Sequence, residues 1–266
     1  GDPLQVEPVV TIPKVLIDIL ADSTGVANEY KVIENSAQTF ADNINEFSGM
    51  IGERQVGCPL VVHRRCIEPM FSISNMISYD NRMFNKTHKK EDYLKQEQPF
   101  LIKKSGWINV EGTENGSKDH FVKNQAERVC QLLENALHIY TNLYETDDKI
   151  FIITPFRTVA ESMRKFVIGY FSVKGYDKEM LTKWTRNCVG TVHTFQGKDA
   201  NEVLFVLGCS DKSVGAMNWV VKKANILNVA CTRAKYRIAF IGNLNDWKNR
   251  RYFREFIPKF IDTIDA

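Results

Sequence analysis

The sequence predicts an α/β fold, a parallel sheet flanked by helices on both faces, and three observations lead there. Short β-branched or aromatic runs recur along the chain: Leu60–Val62, Trp107–Val110, Ile150–Ile153, Cys188–Val192, Val203–Leu207 and Arg237–Ile241. Several are apolar throughout, without alternation, which is the pattern of strands covered on both faces. Helical stretches separate most of them, and strand–helix alternation favours parallel pairing.

Taken in order, the chain opens differently. Leu16, Ile19 and Leu20 suggest a helix, Ser23 to Ala27 a break, and Gln38 to Phe47 a second helix. Residues 1–56 are therefore expected to be a partly helical lead-in, and residues 57–266 the main domain. After the Trp107 strand, Glu111-Gly112-Thr113-Glu114-Asn115-Gly116-Ser117 reads as a flexible turn. The stretch Asn124 to Tyr140 starts with a capping residue and has Glu127 three positions on. Its Val129, Leu132, Leu133, Ala136 and Leu137 keep a 3.6-residue period. Thr158–Phe171 and Lys222–Ala234 read as further helices. About ten residues separate Val192 from Val203, near the lower limit for a parallel crossover, so a single short helix or turn has to make that link.

Composition narrows the classes. The 266 residues are 44% hydrophobic, enough for a real core. No apolar run approaches the ~18 residues of a membrane span, and Gly1-Asp2-Pro3-Leu4 has the character of neither a signal nor a transit peptide. It reads as the middle of something longer. The six cysteines are scattered without a Cys-x-x-Cys pair, which points to a reducing cytoplasm. The five histidines show no ligand spacing with cysteine or acid, so no metal site is expected. A net charge of +3 is too mild to establish nucleic-acid binding. The basic stretches Lys86–Lys95 and Lys248–Arg254 read as solvated surface.

Two runs carry the chemistry. Asn228-Val229-Ala230-Cys231-Thr232-Arg233-Ala234-Lys235 lies about 30 residues after Gly190-Thr191-Val192-His193-Thr194-Phe195-Gln196-Gly197-Lys198-Asp199. Arg233 falls on the edge of a helical apolar stripe of Ile226, Leu227, Ala230 and Ala234, where a guanidinium must reach solvent or meet an anion. Upstream stand Val61-Val62-His63-Arg64-Arg65-Cys66-Ile67-Glu68-Pro69-Met70, then Ser74-Asn75 and Tyr79, and later Thr154-Pro155-Phe156. The first octet is Gly1-Asp2-Pro3-Leu4-Gln5-Val6-Glu7-Pro8. No Gly-x-x-x-x-Gly-Lys-Ser/Thr loop occurs, so the phosphate cradle of an ATP motor is not in this sequence.

In this order, the motifs resemble those of superfamily 1 helicases, motors that use ATP to move along a nucleic-acid strand. The resemblance covers Gly1 to Lys235 and is nearest to the 5′-to-3′ branch, with nonsense-mediated-decay helicases and replication helicase-nucleases. The His-Arg-Arg-Cys variant is similar to that of bacterial members. It implies a C-terminal RecA-like lobe, a P-loop NTPase-like fold lacking the P-loop. It further implies ATP and Mg²⁺, bound mainly by a first lobe, and a track of single-stranded DNA or RNA. The partner is the N-terminal RecA-like lobe of the same parent, with no membrane.

The resemblance also assigns roles. Arg233 corresponds to an arginine finger and Arg65 to a second γ-phosphate contact; Gln5 senses the same phosphate from the third motif. His63 and Arg64 replace the usual Gln-Tyr, and Arg64 could stack on a base by its planar guanidinium. Gln196, Gly197 and Asp199 stand for the Gln-Gly-Arg-Glu loop, expected at a carboxyl strand end. Thr154, Pro155, Phe156, Thr191 and His193 would touch the strand's phosphates or bases. Val159 stands where a Gln is usual. Blander readings stay open: carbonyl-bonding arginines at Arg64 and Arg65, a surface ion pair at Arg233, an ordinary turn at Gln196, a core aromatic at Phe156 and a hydrogen-bonded His193. As a whole, the chain reads as half of a helicase or translocase, inactive alone. The alternative is a degenerate module that holds nucleic acid or protein without hydrolysis; an unrelated nucleotide enzyme would need its own phosphate loop.

Overall fold

Strands β5 (Gly106–Asn109), β6 (Ile150–Thr154), β7 (Val189–Thr191), β8 (Ala200–Val206) and β9 (Ala234–Gly242) form one sheet in the order β5-β9-β8-β6-β7. Every ladder in it is parallel. This computed structural model describes residues 12–27, 31, 37–51, 54–87, 100–114, 116, 119–136, 143–146 and 149–264. All five residues of β6 are buried, and in β8 only Asn201 is partly exposed. That burial requires cover on both faces, as the unbroken apolar runs imply. The expected parallel α/β sheet flanked by helices is the observed fold.

Across the sheet, register aligns Trp107 with Phe240, Phe240 with Phe205, and Phe205 with Ile153. Trp107 stacks on Phe240 with centroids 5.8 Å apart, and Phe205 meets Phe240 edge-on at 5.9 Å. The helix Phe253–Phe260 lays Phe253 and Phe256 against this row. Aromatic pairs add about 0.5–1.5 kcal/mol each beyond the area they bury. The outer edge of β5 is covered rather than open: the Trp107 N–H donates to Asp262 O at 2.8 Å and the Ile264 N–H to Trp107 O at 2.8 Å. An uncovered edge would template pairing with another chain.

Several elements depart from the sequence expectation. Of Leu60–Val62, only Val62 enters a strand. β3 (Val62–His63) pairs in parallel with β4 (Phe84–Asn85), outside the main sheet, and Leu60 is 91% exposed. The expected Asn124 cap lies inside the helix Lys123–Ala136, where its Nδ2 donates to Glu111 O at 3.0 Å. The helix expected over 222–234 is the shorter Asn225–Arg233, because Ala234 already pairs with Ala200. The short link from β7 to β8, by contrast, is made by turns, one of the two forms its length allows. Successive turns close through Thr194 N–H to Thr191 O at 2.9 Å, Gln196 N–H to His193 O at 3.3 Å and Lys198 N–H to Phe195 O at 3.0 Å. The link starts at the carboxyl end of β7 and finishes at the amino end of β8, so Gln196, Gly197 and Asp199 sit at amino strand ends, not the carboxyl ends expected.

The chain divides into two units, Gly1–Val61 and Val62–Ala266. In the first, helix Lys14–Thr24 stops at Gly25, whose φ of +67° puts it in the left-handed region. Helix Ala37–Asn43 and an antiparallel pair, β1 (Gly49–Ile51) with β2 (Arg54–Val56), follow. Asp42 Oδ1 accepts from Gln38 Nε2 at 2.8 Å and Gly57 N–H at 3.0 Å. Gln5 lies outside the described residues, as do residues 88–95 of the first basic stretch. Among the described residues, no helix is long and apolar enough to cross a membrane.

Glu202 fastens the segment before β5. Its carboxylate, 1% exposed, accepts the Leu101 N–H at 2.6 Å and the Ile102 N–H at 2.9 Å. Arg237, its register neighbour on β9, donates to Ile102 O and lies 3.9 Å over the Phe100 ring. Burial pushes the Glu202 carboxyl up to about 7, against the lowering effect of the two N–H donors and Arg237. A carboxyl raised on folding binds its proton more tightly in the native state, so its contribution is full below about pH 4.5 and is lost as pH rises through about 7. Chemical denaturation should therefore show a stability loss of up to about 3 kcal/mol across that window. Glu202→Gln should flatten the slope there, and an unchanged slope in the variant would rule this assignment out.

Candidate functional site

The helix Asn225–Arg233 turns its last residue inward. Arg233 is 0% exposed. Its Nε donates to Val229 O at 3.3 Å, its Nη1 to Phe195 O at 3.3 Å and Lys198 O at 2.8 Å, and its Nη2 to Thr232 Oγ1 at 3.2 Å. Gly197, with φ of +88°, permits the turn that presents both loop carbonyls to one guanidinium. Burial lowers the Arg233 pKa to about 10, and the charge of Arg65 lowers it too, while Asp199 opposes both. The group remains a cation at neutral pH.

Around it the charges converge. Asp199 stands 4.0 Å from Arg65 Nε and 3.0 Å from Lys235 Nζ, all three side chains half-buried. Two cations thus share one carboxylate at the amino ends of β8 and β9, with the Arg233 charge close enough to feel it. Such a positive excess in a partly desolvated place attracts anions. Gln196 and Gly197 lie exposed on the turn beside it.

The segment bearing Arg65 is held from two sides. His63 Nε2 accepts the Cys66 N–H at 2.9 Å and lies 3.0 Å from its Sγ, and the ring packs on Phe71 at 5.3 Å. The Ile67 N–H donates to Lys235 O at 3.1 Å. Deeper, Ser74 Oγ bonds Asn228 Oδ1 at 2.5 Å, and Asn228 Nδ2 donates to the Tyr79 hydroxyl at 3.1 Å. These buried contacts tie helix Met70–Ser78 to helix Asn225–Arg233 and so fix Arg65 relative to Arg233. Arg64 points to solvent.

The other sequence candidates assemble at the opposite, carboxyl end of the sheet. Thr154 and Pro155 are buried, and Thr154 Oγ1 accepts the Phe156 N–H at 3.4 Å. Thr191 lies opposite Thr154 in register, and its hydroxyl sits 3.2 Å from that of Thr194. His193 is exposed at the turn, though partial burial of its ring lowers its pKa. Phe156 is 8% exposed, its ring 4.8 Å from His120 and 5.8 Å from Trp219. Val159 is buried in the helix that follows.

A further group that the sequence did not suggest lies beside Phe156. Glu114, His120 and Cys209 bring ligand-type atoms within 4.8 Å of one another. Glu114 Oε1 accepts the Ser210 N–H at 2.7 Å; its Oε2 accepts from Ser213 Oγ at 2.9 Å and lies 3.2 Å from His120 Nδ1. Burial alone would raise the Glu114 carboxyl, but these bonds together hold it below its ordinary value. Burial pushes the Cys209 thiol well up, which keeps its proton on. With both carboxylate oxygens engaged and the thiol protonated, the group fastens the loop from Gly208 to Ser213. Gly208, at φ +61°, is required there, since a Cβ would come 2.6 Å from His120 O. Glu114 and His120 lie about ninety residues or more from Cys209, Ser210 and Ser213, and only the fold unites them. Lys235, the last residue of the Asn228–Lys235 run, gains a role from its salt bridge to Asp199.

A five-stranded parallel sheet covered by helices, with arginines at one end and threonines at the other, defines the class of fold as RecA-like α/β. Residues 46–245 match the family model described as AAA domain. The chain belongs to that family, and its motif order makes it the C-terminal RecA-like lobe of a superfamily 1 helicase. It is 26% identical over 214 residues to a Methanocaldococcus jannaschii protein named as an uncharacterized ATP-dependent helicase. The match takes in 74% of this chain and 28% of that protein, so the chain spans less than a third of its relative's length.

The two arginines should differ in what their loss does to the fold. Arg233→Ala removes four bonds and strands the carbonyls of Phe195 and Lys198, so it should cost about 2–4 kcal/mol in denaturant titrations. Arg65→Ala, at a half-exposed ion pair, should cost about 1 kcal/mol or less. Equal losses would refute this assignment of the buried and exposed partners.

Proposed function

We propose that this lobe supplies Arg65 and Arg233 to the γ-phosphate of ATP bound chiefly by the N-terminal RecA-like lobe of the same parent, and that its carboxyl-end residues contact a single strand of DNA or RNA. The observation that carries the reading is the gathering of Arg65, Arg233 and Lys235 around Asp199. Four of the five Arg233 N–H groups have acceptors in the fold. One Nη2 N–H has none among the described residues, and a phosphate oxygen would take it once the fully buried guanidinium is drawn outward. Arg64 is exposed to stack on a base, Gln196, Gly197 and Asp199 form the adjoining turn, and Gln5 would sense the same phosphate. Thr154, Pro155, Phe156, Thr191 and His193 form the strand-facing end.

The described residues of this cluster do not fit Mg²⁺. Asp199 is their one carboxylate and two cations already engage it, so we assign the metal to the first lobe with the phosphate cradle. The lobe alone would then hydrolyse nothing. We take residues 57–266 as this lobe, and place it in the cytoplasm on the six free thiols.

Hydrolysis by the full-length parent, with and without single-stranded DNA or RNA, tests the reading. Strand-stimulated turnover is expected, and Arg65→Ala should lower it by about 10³-fold or more with little change in melting. Unchanged turnover in that variant would reject the phosphate contact. A parent that hydrolyses nothing with either strand would be the degenerate binding module instead.

A further inference from the structure

Resting on that reading, we propose that Trp219, rather than Phe156, is the base-stacking platform where the lobe meets a single strand. Phe156 cannot offer a face to a base, because its ring is enclosed between His120 and Trp219. Trp219 lies over it at 5.8 Å with the rings tilted by 35°, and is itself 49% exposed. The outer ring of the column therefore lies where the sequence had placed the inner one.

The platform is rigid. Trp219 belongs to helix Val214–Val220, whose Met217 and Val220 are 0% exposed and face the core. On the outer face, Asn218 Oδ1 accepts from Arg250 Nη1 at 2.6 Å, which pins the helix to the following turn. From behind, His120 Nδ1 lies 3.1 Å from Ser213 Oγ, and Glu114 holds Ser210 and Ser213, the residues leading into the helix. An aromatic held by both neighbours loses little freedom when a base covers it.

Charge identifies the occupant. Lys212, Lys222 and Lys223 flank this helix and are exposed, against one exposed acid, Asp211, at its entry. A cationic stretch around one exposed indole suits a phosphodiester backbone with a base stacked beside it. The column also continues from Thr154 and Pro155, so the indole lies on the proposed track. Stacking of this kind tolerates any base, because every base has a π-face.

The tryptophans provide the readout. Trp107, Trp184 and Trp247 are at most 2% exposed, leaving Trp219 as the accessible fluorophore of the four. The full chain, titrated at low salt with oligothymidylate and oligouridylate, should show quenched emission and protection from acrylamide. Trp219→Ala should abolish the quench and weaken binding by about 5- to 100-fold, and Trp219→Phe should restore most of the affinity. Circular dichroism should be unchanged in both variants, since half of the side chain is in water. Strand binding by anisotropy without quenching, or Trp219→Ala affinity within about twofold of the original, would overturn the platform and leave the motor reading standing. Binding of neither oligonucleotide to the unmodified chain would overturn both.

Discussion

The Arg233 guanidinium carries its charge with no exposed surface, at the place where helix Asn225–Arg233, β9 and the turn before β8 meet. An unpaired cation there would cost several kcal/mol, and the fold answers with carbonyls instead of a carboxylate. Phe195 O and Lys198 O take the Nη1 protons, and Val229 O takes Nε. Those acceptors define the turn, the turn places Asp199, and Asp199 in turn holds Arg65 and Lys235. Arg233 also ends its helix, where the negative end of the dipole favours a cation. Carbonyl pairing leaves the cation's net charge uncancelled, so the site stays positive in a way that a buried ion pair would not.

The segment 191–199 physically joins the two ends of the sheet. At one end, the Val192 N–H donates to Thr154 O at 3.3 Å; midway, Phe195 stacks on Phe151 of β6 at 4.3 Å; at the other, Lys198 O receives Arg233. In the proposed motor, a phosphate that drew the guanidinium outward would loosen its bonds to Phe195 O and Lys198 O. The released segment remains pinned at Phe151 and Thr154, so the strain would fall on Thr191 and the turn with His193. Interiors packed at this density shift between discrete arrangements rather than stretch.

What the sequence could convey followed range of interaction. Apolar runs with β-branched residues located β5, β6, β8 and β9, because burial on both faces acts on each strand locally. The helix after Phe156 was legible from its period for the same reason. The β7–β8 link is legible as a turn from its length, but its path is not, since that depends on β7 and β8 lying on opposite sides of β6. The Gln196 loop was consequently assigned to the wrong strand ends. The apolar period puts Arg233 at the edge of its stripe, whereas it is fully buried, because two of the three carbonyls that satisfy it come from 35 or more residues away. Glu114, His120 and Trp219 carry no motif, and their association spans about a hundred residues.

In the fourth motif, His63 supports the loop that carries Arg64 and Arg65. His63 stands where the family has Gln, and its imidazole turns back to accept the Cys66 N–H rather than facing outward. That bond spans Arg64 and Arg65 and closes the loop carrying them, with Phe71 packed behind the ring. Accepting at Nε2 requires the other nitrogen to carry the proton of a neutral imidazole. The same closure buries Cys66 and leaves Arg64 exposed, so consecutive residues are sorted by the loop's curvature. Arg65 falls between these extremes, half-buried beside Asp199, the setting in which a guanidinium keeps both a fixed position and access to an incoming anion.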